Sequence, residues 1–385
     1  MQSFTVRSPG HCLRRQCCGL KVSRRASPPV LQVRHNSSTS SSPPKKRTWL
    51  RLTVVSLGAA GLGAYFRTHQ DAQNSQLNPL SFAHYRLVSR DPVSSTNSIF
   101  TLEPSSPANN QETYELAWQT GIWSVMFKQP QLQIGRDYTP LPPLDEGVEE
   151  GGHEIPDSLR FLIRRDPHGE VSRYLHSLQV GANIEIRGPQ VECEISPEVN
   201  NVLFIAGGTG IAPALQAIHV LLRKPAGEEK PKIHILWANR KREDCLGGKS
   251  DTLADKSAKS TWWPFGNRDK AGPATAPEPT SSSSTEQGAI VRELQKLKAQ
   301  YPGQITVDYF VDEESSFISP KEITTFTESA QPSTAEKRMI IVSGPEGFIN
   351  YMAGNKVWAH GYQLQGTVGG VIQQLGLKDW TIWKL

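Results

Sequence analysis

The sequence predicts a β + α/β protein: an antiparallel β domain, then an α/β domain built on a parallel sheet, behind an N-terminal transmembrane helix. Three observations carry this expectation. Short alternating apolar runs separated by Pro, Asn and Ser recur between residues 82 and 197, the pattern of half-buried antiparallel strands. From Val202 the pattern changes to a continuous apolar run ending in glycines, then a helical period, then a second apolar run. Residues 52–66 carry no charge at all.

At the N-terminus, residues 1–70 hold twelve Lys and Arg and no Asp or Glu, among many Ser. This composition reads as a mitochondrial presequence, assigned to residues 1–45; a basic tail that binds nucleic acid is the other reading. With Trp49 and Leu50 the uncharged run approaches the ~18–20 residues that cross a bilayer, so residues 49–66 are expected to form the transmembrane helix. A cleaved hydrophobic sorting signal is its rival. Lys45, Lys46, Arg47 and Arg51 stand before this segment and Arg67 alone follows closely. The positive-inside rule then places the front end in the mitochondrial matrix and the body, joined by a linker over 67–81, in the intermembrane space. Without its first 70 residues the chain has 30 Lys and Arg against 37 Asp and Glu, a formal charge of −7 in place of +5. An acidic body argues against nucleic acid and suits a basic partner through electrostatic steering.

Within the body, strands are expected at 85–89, 98–102, 123–128, 160–165 and 182–187, with a hairpin loop or insertion at 145–152 and a short helix at 172–178. In the second domain, from residue 198 to the end, the expected order is strand 202–206, helix 213–222, strand 233–237, helix 289–299, then strands 305–311 and 339–343. Residues 249–287 interrupt it with Ser, Thr, Pro, Ala and Gly and read as a disordered insertion. Only Cys193 and Cys245 lie beyond the presumed presequence, without metal-ligand or haem-attachment spacing, so no metal site is expected.

Four motifs carry chemistry. In Arg136-Asp137-Tyr138-Thr139, an extended backbone points Arg136 and Tyr138 to one face. The guanidinium can grip a diphosphate with two hydrogen bonds, the phenol can stack on a flat ring, and Thr139 offers a hydroxyl beside it. An ordinary edge strand with a proline-rich exit explains the same letters. Gly169-Glu170-Val171-Ser172 opens a helix whose unpaired amides favour a phosphate; a plain glycine turn and cap is the alternative. Gly207-Gly208-Thr209-Gly210 lies between an apolar strand and a helix, where a glycine turn lets a nucleotide diphosphate approach the backbone. No acidic residue ends the following strand to hold a ribose; Arg240, Lys241 and Arg242 stand there, able to accept a 2′-phosphate or to be a solvated charge run. The fourth motif is Ser343-Gly344-Pro345.

Together these motifs resemble the ferredoxin-reductase superfamily, in particular its cytochrome b5 reductase branch. Arg136, Tyr138 and Thr139 match that family's Arg-x-Tyr-Ser/Thr, Gly169 to Ser172 its Gly-x-x-Ser, and Gly207 to Pro213 its nucleotide loop. The resemblance implies an FAD-binding β-barrel over 82–197 followed by an NAD(P)H-binding domain over 198–385. It implies FAD held by Arg136, Tyr138, Thr139, Gly169, Val171 and Ser172, and NADH or NADPH held by Gly208, Thr209, Gly210, Gly344 and Pro345. Thr139 and Ser343 would border the reacting rings. Ser343 stands where the family usually has cysteine, which implies slower hydride transfer. With its N-terminal organisation the chain is similar to mitochondrial members of the family associated with haem attachment to cytochrome c. That likeness implies haem, the haem-attachment machinery or apocytochrome c, and the mitochondrial inner membrane as partners. A reductase with another electron acceptor, and a flavin-loaded assembly factor with weak NAD(P)H activity, are the alternatives.

Overall fold

The computed structural model describes residues 53–63, 65, 76–107, 109–144, 157–223, 231–253, 287–330 and 337–385. The expected presequence, the loop 145–152 and residues 254–286 of the expected insertion lie outside the described residues. Residues 53–63 are helical, with Val54, Val55, Leu57 and Leu62 exposed. Among the described residues no helix is long and apolar enough to cross a membrane. Of the expected span 49–66, residues 49–52, 64 and 66 lie outside the described residues.

Seven antiparallel strands form the first half of the body: β1 (Ala83–Pro92), β2 (Asn97–Pro104), β3 (Gly121–Gln129), β4 (Ile134–Tyr138), β5 (Pro140–Leu141), β6 (Leu159–Arg164) and β7 (Asn183–Glu194). Their spatial order is β4-β3-β7-β1-β2-β6-β5. The two edge strands, β4 and β5, are consecutive in the chain and joined by Thr139 alone, so the sheet must roll until its edges meet. Alternation fills the barrel: Tyr85 and Leu87, Val125 and Phe127, Ile184 and Ile186 point inward and are buried. Helix α1 (Gln111–Thr120) plugs one side with Tyr114, Ala117 and Trp118, its Tyr114 hydroxyl 2.7 Å from that of Tyr85. Helix α2 (Glu170–Ser177) adds Val171 and Leu175 to the same core and packs beside β4.

The second half is a five-stranded sheet of β8 (Val199–Gly207), β9 (Lys232–Asn239), β10 (Ile305–Val311), β11 (Lys337–Ser343) and β14 (Thr381–Lys384), in the order β10-β9-β8-β11-β14 with every pairing parallel. Helices α3 (Ile211–Leu222), α4 (Ala289–Gln300), α5 (Pro320–Ser329), α6 (Glu346–Ala353) and α7 (Gly370–Leu375) accompany it, and a hairpin of β12 (Val357–Ala359) and β13 (Tyr362–Leu364) follows α6. Near-continuous apolar strands such as β8 belong to a sheet covered on both faces. Strand order reverses between β8 and β11, the switch point outside whose carboxyl ends doubly wound sheets bind nucleotides.

One expectation is corrected here. The first residues of the expected insertion 249–287 are ordered: Tyr309 donates its backbone N–H to the Ser250 hydroxyl at 2.9 Å, Val307 to the Asp251 carboxylate at 2.7 Å, and the Thr252 N–H reaches Asp308 at 2.9 Å. Edge strand β10 exposes unpaired backbone groups, and residues 250 and 251 satisfy some of them, which polar composition alone does not reveal.

Candidate functional site

Glycine geometry explains the nucleotide loop. Gly207 ends β8, Gly208–Gly210 form one 3-10 turn, and α3 begins at Ile211. A methyl group on Gly210 would lie 2.7 Å from the carbonyl carbon of Ser343 and 3.0 Å from the Gly344 nitrogen. On Gly207 it would meet the Phe348 ring at 2.9 Å. The carboxyl ends of β8 and β11 are therefore in backbone contact, which brings Gly208-Thr209-Gly210 and Ser343-Gly344-Pro345 together. Gly208 is different: its φ of +56° favours glycine, and a methyl there would meet nothing within 4 Å. Its backbone faces open space and is held by Trp237 of β9, whose indole N–H donates to the Gly208 carbonyl at 2.9 Å.

At the carboxyl end of β9, Asn239 is buried, and neither its amide nitrogen nor its amide oxygen has a partner among the described residues. An unpaired buried amide costs about 1–3 kcal/mol, and in dinucleotide-binding sheets the end of the corresponding strand is where a ribose is held. The strand ends in no acid, and the lone Asn in its place belongs to no sequence motif. Arg242, one of the three cations considered for a 2′-phosphate, is committed elsewhere. Its side chain forks onto Glu314, with Nε 2.6 Å from one carboxylate oxygen, and its backbone N–H donates to Glu313 at 2.5 Å. Hydrogen bonding to Glu314 holds the guanidinium pKa above its ordinary value. Lys241 pairs with Glu243 at 3.1 Å.

The barrel supplies the second half of the site. Arg136 and Tyr138 lie opposite Phe127 and Val125 of β3, and the Tyr138 ring meets Phe127 edge-on with centroids 5.1 Å apart. Burial pushes the Tyr138 phenol up to about 12, while the nearby Arg136 guanidinium pulls it down. Arg136 is exposed; its guanidinium donates to the Gly135 carbonyl at 2.9 Å, and among the described residues it makes no ion pair. Thr139 is the half-buried seam residue. Gly169 precedes α2 without any side-chain cap, leaving the first-turn amides unclaimed by a capping side chain. The Ser172 hydroxyl is turned inward, accepting from the Asp166 N–H at 3.1 Å and donating to the Gly169 carbonyl at 3.3 Å. Ser172 thus shapes the turn, and a methyl on Gly169 would strike that hydroxyl at 2.7 Å. The Val171 side chain is core, so only its backbone is available to a ligand. Ser343 is buried at the end of β11. Cys193 and Cys245 are buried free thiols, and burial raises them to about 12 and about 11, so neither is a nucleophile.

The two halves meet through α3. Gln216 donates to the Pro140 carbonyl at 2.8 Å and accepts from the Trp123 N–H at 2.9 Å. Arg160 of β6 pairs with Glu293 of α4 at 3.2 Å, Ser94 donates to Asp244 at 2.6 Å, and the Trp383 indole donates to the Glu192 carbonyl at 3.0 Å. These residues fit the two groups the motifs imply. An exposed unpaired guanidinium, an aromatic ring and an uncapped helix start suit a flavin dinucleotide; a glycine turn over open space and an unpaired amide suit a nicotinamide dinucleotide.

Comparison with known proteins agrees. The Oxidoreductase FAD-binding domain family matches residues 84–195 and the Oxidoreductase NAD-binding domain family residues 204–277. NADH-cytochrome b5 reductase 2-A of Vanderwaltozyma polyspora is 25% identical over 63% of this chain and 64% of its own length. Cytochrome c mitochondrial import factor CYC2 of Saccharomyces cerevisiae is 30% identical over 39% of this chain and 42% of its own. The chain therefore spans less than two thirds of each of these relatives. Among solved structures, the cytochrome b5 reductase domain of Ulva prolifera nitrate reductase shares the fold, with a TM-score of 0.50 at 16% identity, covering 80% of this chain and 99% of that one. The chain therefore carries an oxidoreductase FAD-binding domain followed by an oxidoreductase NAD-binding domain, and is similar across both to the cytochrome b5 reductases.

Proposed function

We propose that the protein passes electrons from NADH through FAD to haem, or to the machinery that attaches haem to cytochrome c, at the mitochondrial inner membrane. The observation that carries the electron path is the joining of the Arg136–Thr139 seam to the helix that springs from the glycine loop. The likeness to a cytochrome c import factor and to NADH-cytochrome b5 reductases supports the haem-protein acceptor. The basic, carboxylate-free residues 1–70 and the uncharged run 52–66 support mitochondrial import and anchoring, with the body in the intermembrane space.

When bound, FAD supplies acceptance of two electrons from a dihydronicotinamide and their release singly to an acceptor. The chain does the rest. Arg136 and the start of α2 (Gly169, Val171, Ser172) bind the diphosphate, Tyr138 orients the ring, and Thr139 holds a hydroxyl at its edge. Gly208, Thr209 and Gly210 admit the second nucleotide, and Ser343, Gly344 and Pro345 border its nicotinamide end. The test is an anaerobic visible spectrum of the purified protein before and after NADH, then after an oxidised haem protein. Bleaching by NADH and recovery with the haem protein are expected. A flavin that stays oxidised with NADH, and with NADPH added after it, would instead favour a flavin-loaded assembly factor, the reading that Ser343 in place of the family cysteine supports. Bleaching without recovery would leave a reductase with another acceptor.

NADH is the expected donor because Arg242 is held by Glu313 and Glu314, whose charges oppose a 2′-phosphate. Glu314→Gln should free Arg242 and raise kcat/KM for NADPH by about fivefold, the scale of one exposed charge contact, with NADH little changed. Unchanged discrimination in steady-state assays would remove the Arg242–Glu314 pair from nucleotide selection.

A further inference from the structure

Gln216 is an anomaly in its own helix. Between Ile211 and Leu222, α3 buries Ile211, Ala212, Ala214, Leu215, Ala217 and Ile218, and in their midst stands a primary amide with 0% exposure. A buried polar side chain is retained only where its hydrogen bonds are satisfied. Those of Gln216 run to one place: its NH2 group donates to the Pro140 carbonyl and its oxygen accepts from the Trp123 N–H, both in the barrel. Pro140 follows Thr139 directly, at the seam where the barrel closes. At its other end α3 begins at the residue after Gly210, and Gly210 abuts the backbone of Ser343 and Gly344.

From this we infer that Gln216 is a positioning residue for the redox reaction: it fixes the register of the nucleotide loop against the flavin-binding seam, and so the approach of nicotinamide to flavin. The inference rests on the proposed electron path. Other ties between the two halves, Arg160–Glu293, Ser94–Asp244, Asn97–Asp244, Ser95–Glu243 and Trp383–Glu192, join segments outside the four site motifs. The hydrogen bonds of Gln216 instead couple the helix that follows one cofactor motif to the backbone beside the other. At this side-chain length an amide or a protonated carboxyl group can donate to Pro140 and accept from Trp123 at once, whereas a carboxylate cannot donate and a thioether has no donor.

The test uses the full-length protein, with stopped-flow flavin reduction by NADH and by 4-deuterated NADH. Gln216→Met, unbranched and of similar length, should keep FAD and bind NADH within about twofold of wild type. Its reduction rate at saturating NADH should fall by about 10- to 100-fold, the scale of a displacement near 1 Å between reacting groups. Gln216→Glu provides a rescue that a merely structural contact would not show. Burial raises a carboxyl pKa, so this variant regains its donor to Pro140 as the solution is acidified, and its rate should climb toward wild type while the wild-type rate stays flat. A Gln216→Met rate within twofold of wild type, whatever the melting temperature, would overturn the inference. If that variant fails to fold, a pH-independent rate in Gln216→Glu overturns it equally. Failure of NADH to bleach the wild-type flavin would instead refute the electron path itself.

Discussion

Gly210→Ala should leave a protein that is both less stable and unable to use NADH. The added methyl would lie 2.7 Å from the Ser343 carbonyl carbon and 3.0 Å from the Gly344 nitrogen. These are backbone atoms of the adjoining strand end, so no rotamer change relieves the clash. Overpacking of this kind costs about 1–3 kcal/mol, here at the upper end because Ser343 is also paired to Ala206 in the sheet. The comparison that gives this prediction its content is Gly208→Ala. At Gly208 the methyl meets no protein atom, and only the φ of +56° opposes it, a strain of about 1 kcal/mol. The Gly208 variant should therefore fold nearly normally, keep its FAD, and lose NADH affinity by about tenfold or more, since the methyl fills the space a diphosphate would approach. Thermal melts with and without nucleotide, beside flavin-reduction titrations, separate the two. A Gly208→Ala protein that binds NADH like wild type would show that the nucleotide does not cross this turn.

The contrast between these glycines also shows what the sequence could reveal. Glycines after an apolar strand announce a close backbone approach, but not which glycine packs against protein and which faces ligand, because that depends on a strand more than 130 residues away in the chain, ending at Ser343. Strands with clear alternation or continuous apolar character, such as β1, β8 and β10, were legible, as was the helix at 211–222. Helix α1 was not. It buries Tyr114, Ala117 and Trp118 at helical spacing, but over only three turns flanked by polar residues, and its fit is set by Tyr85 and Asn110, through the 3.1 Å bond of the Asn110 amide to Tyr85. Gln216 and Asn239 escaped for a related reason. A lone amide in an apolar segment carries no motif, and its meaning lies in partners, or the lack of them, that only the fold reveals. Ser172 belonged to a motif, yet its hydroxyl serves the turn at Asp166, a local bond that competes with the ligand role read from its position.

Arg136→Ala should strip the protein of FAD while leaving the apoprotein as stable as before. Other arginines of the body are committed: Arg160 to Glu293, Arg242 to Glu314, Arg338 to Asp379. Arg136 is exposed and, among the described residues, reaches only the neighbouring Gly135 carbonyl, so its charge is available to a diphosphate. Removing an exposed side chain that packs nothing should change apoprotein stability by no more than about 0.5 kcal/mol. Two charge-assisted hydrogen bonds to phosphate are worth about 3 kcal/mol together, so FAD affinity should fall on the order of 100-fold. Bound cofactor stabilises a protein by RT ln(1 + c/Kd) at a free FAD concentration c, so the FAD-dependent rise in melting temperature should shrink while the apoprotein baseline holds. Arg136→Lys should fall between, keeping the charge but losing the fork that engages two oxygens at once. The wild-type affinity should also weaken with salt more steeply than that of the Ala variant, because the lost contact is the ionic one. A variant that holds FAD through gel filtration at high salt would move the diphosphate off β4 and onto the amides that begin α2, where the uncapped turn after Gly169 is the remaining anion site of the barrel motifs.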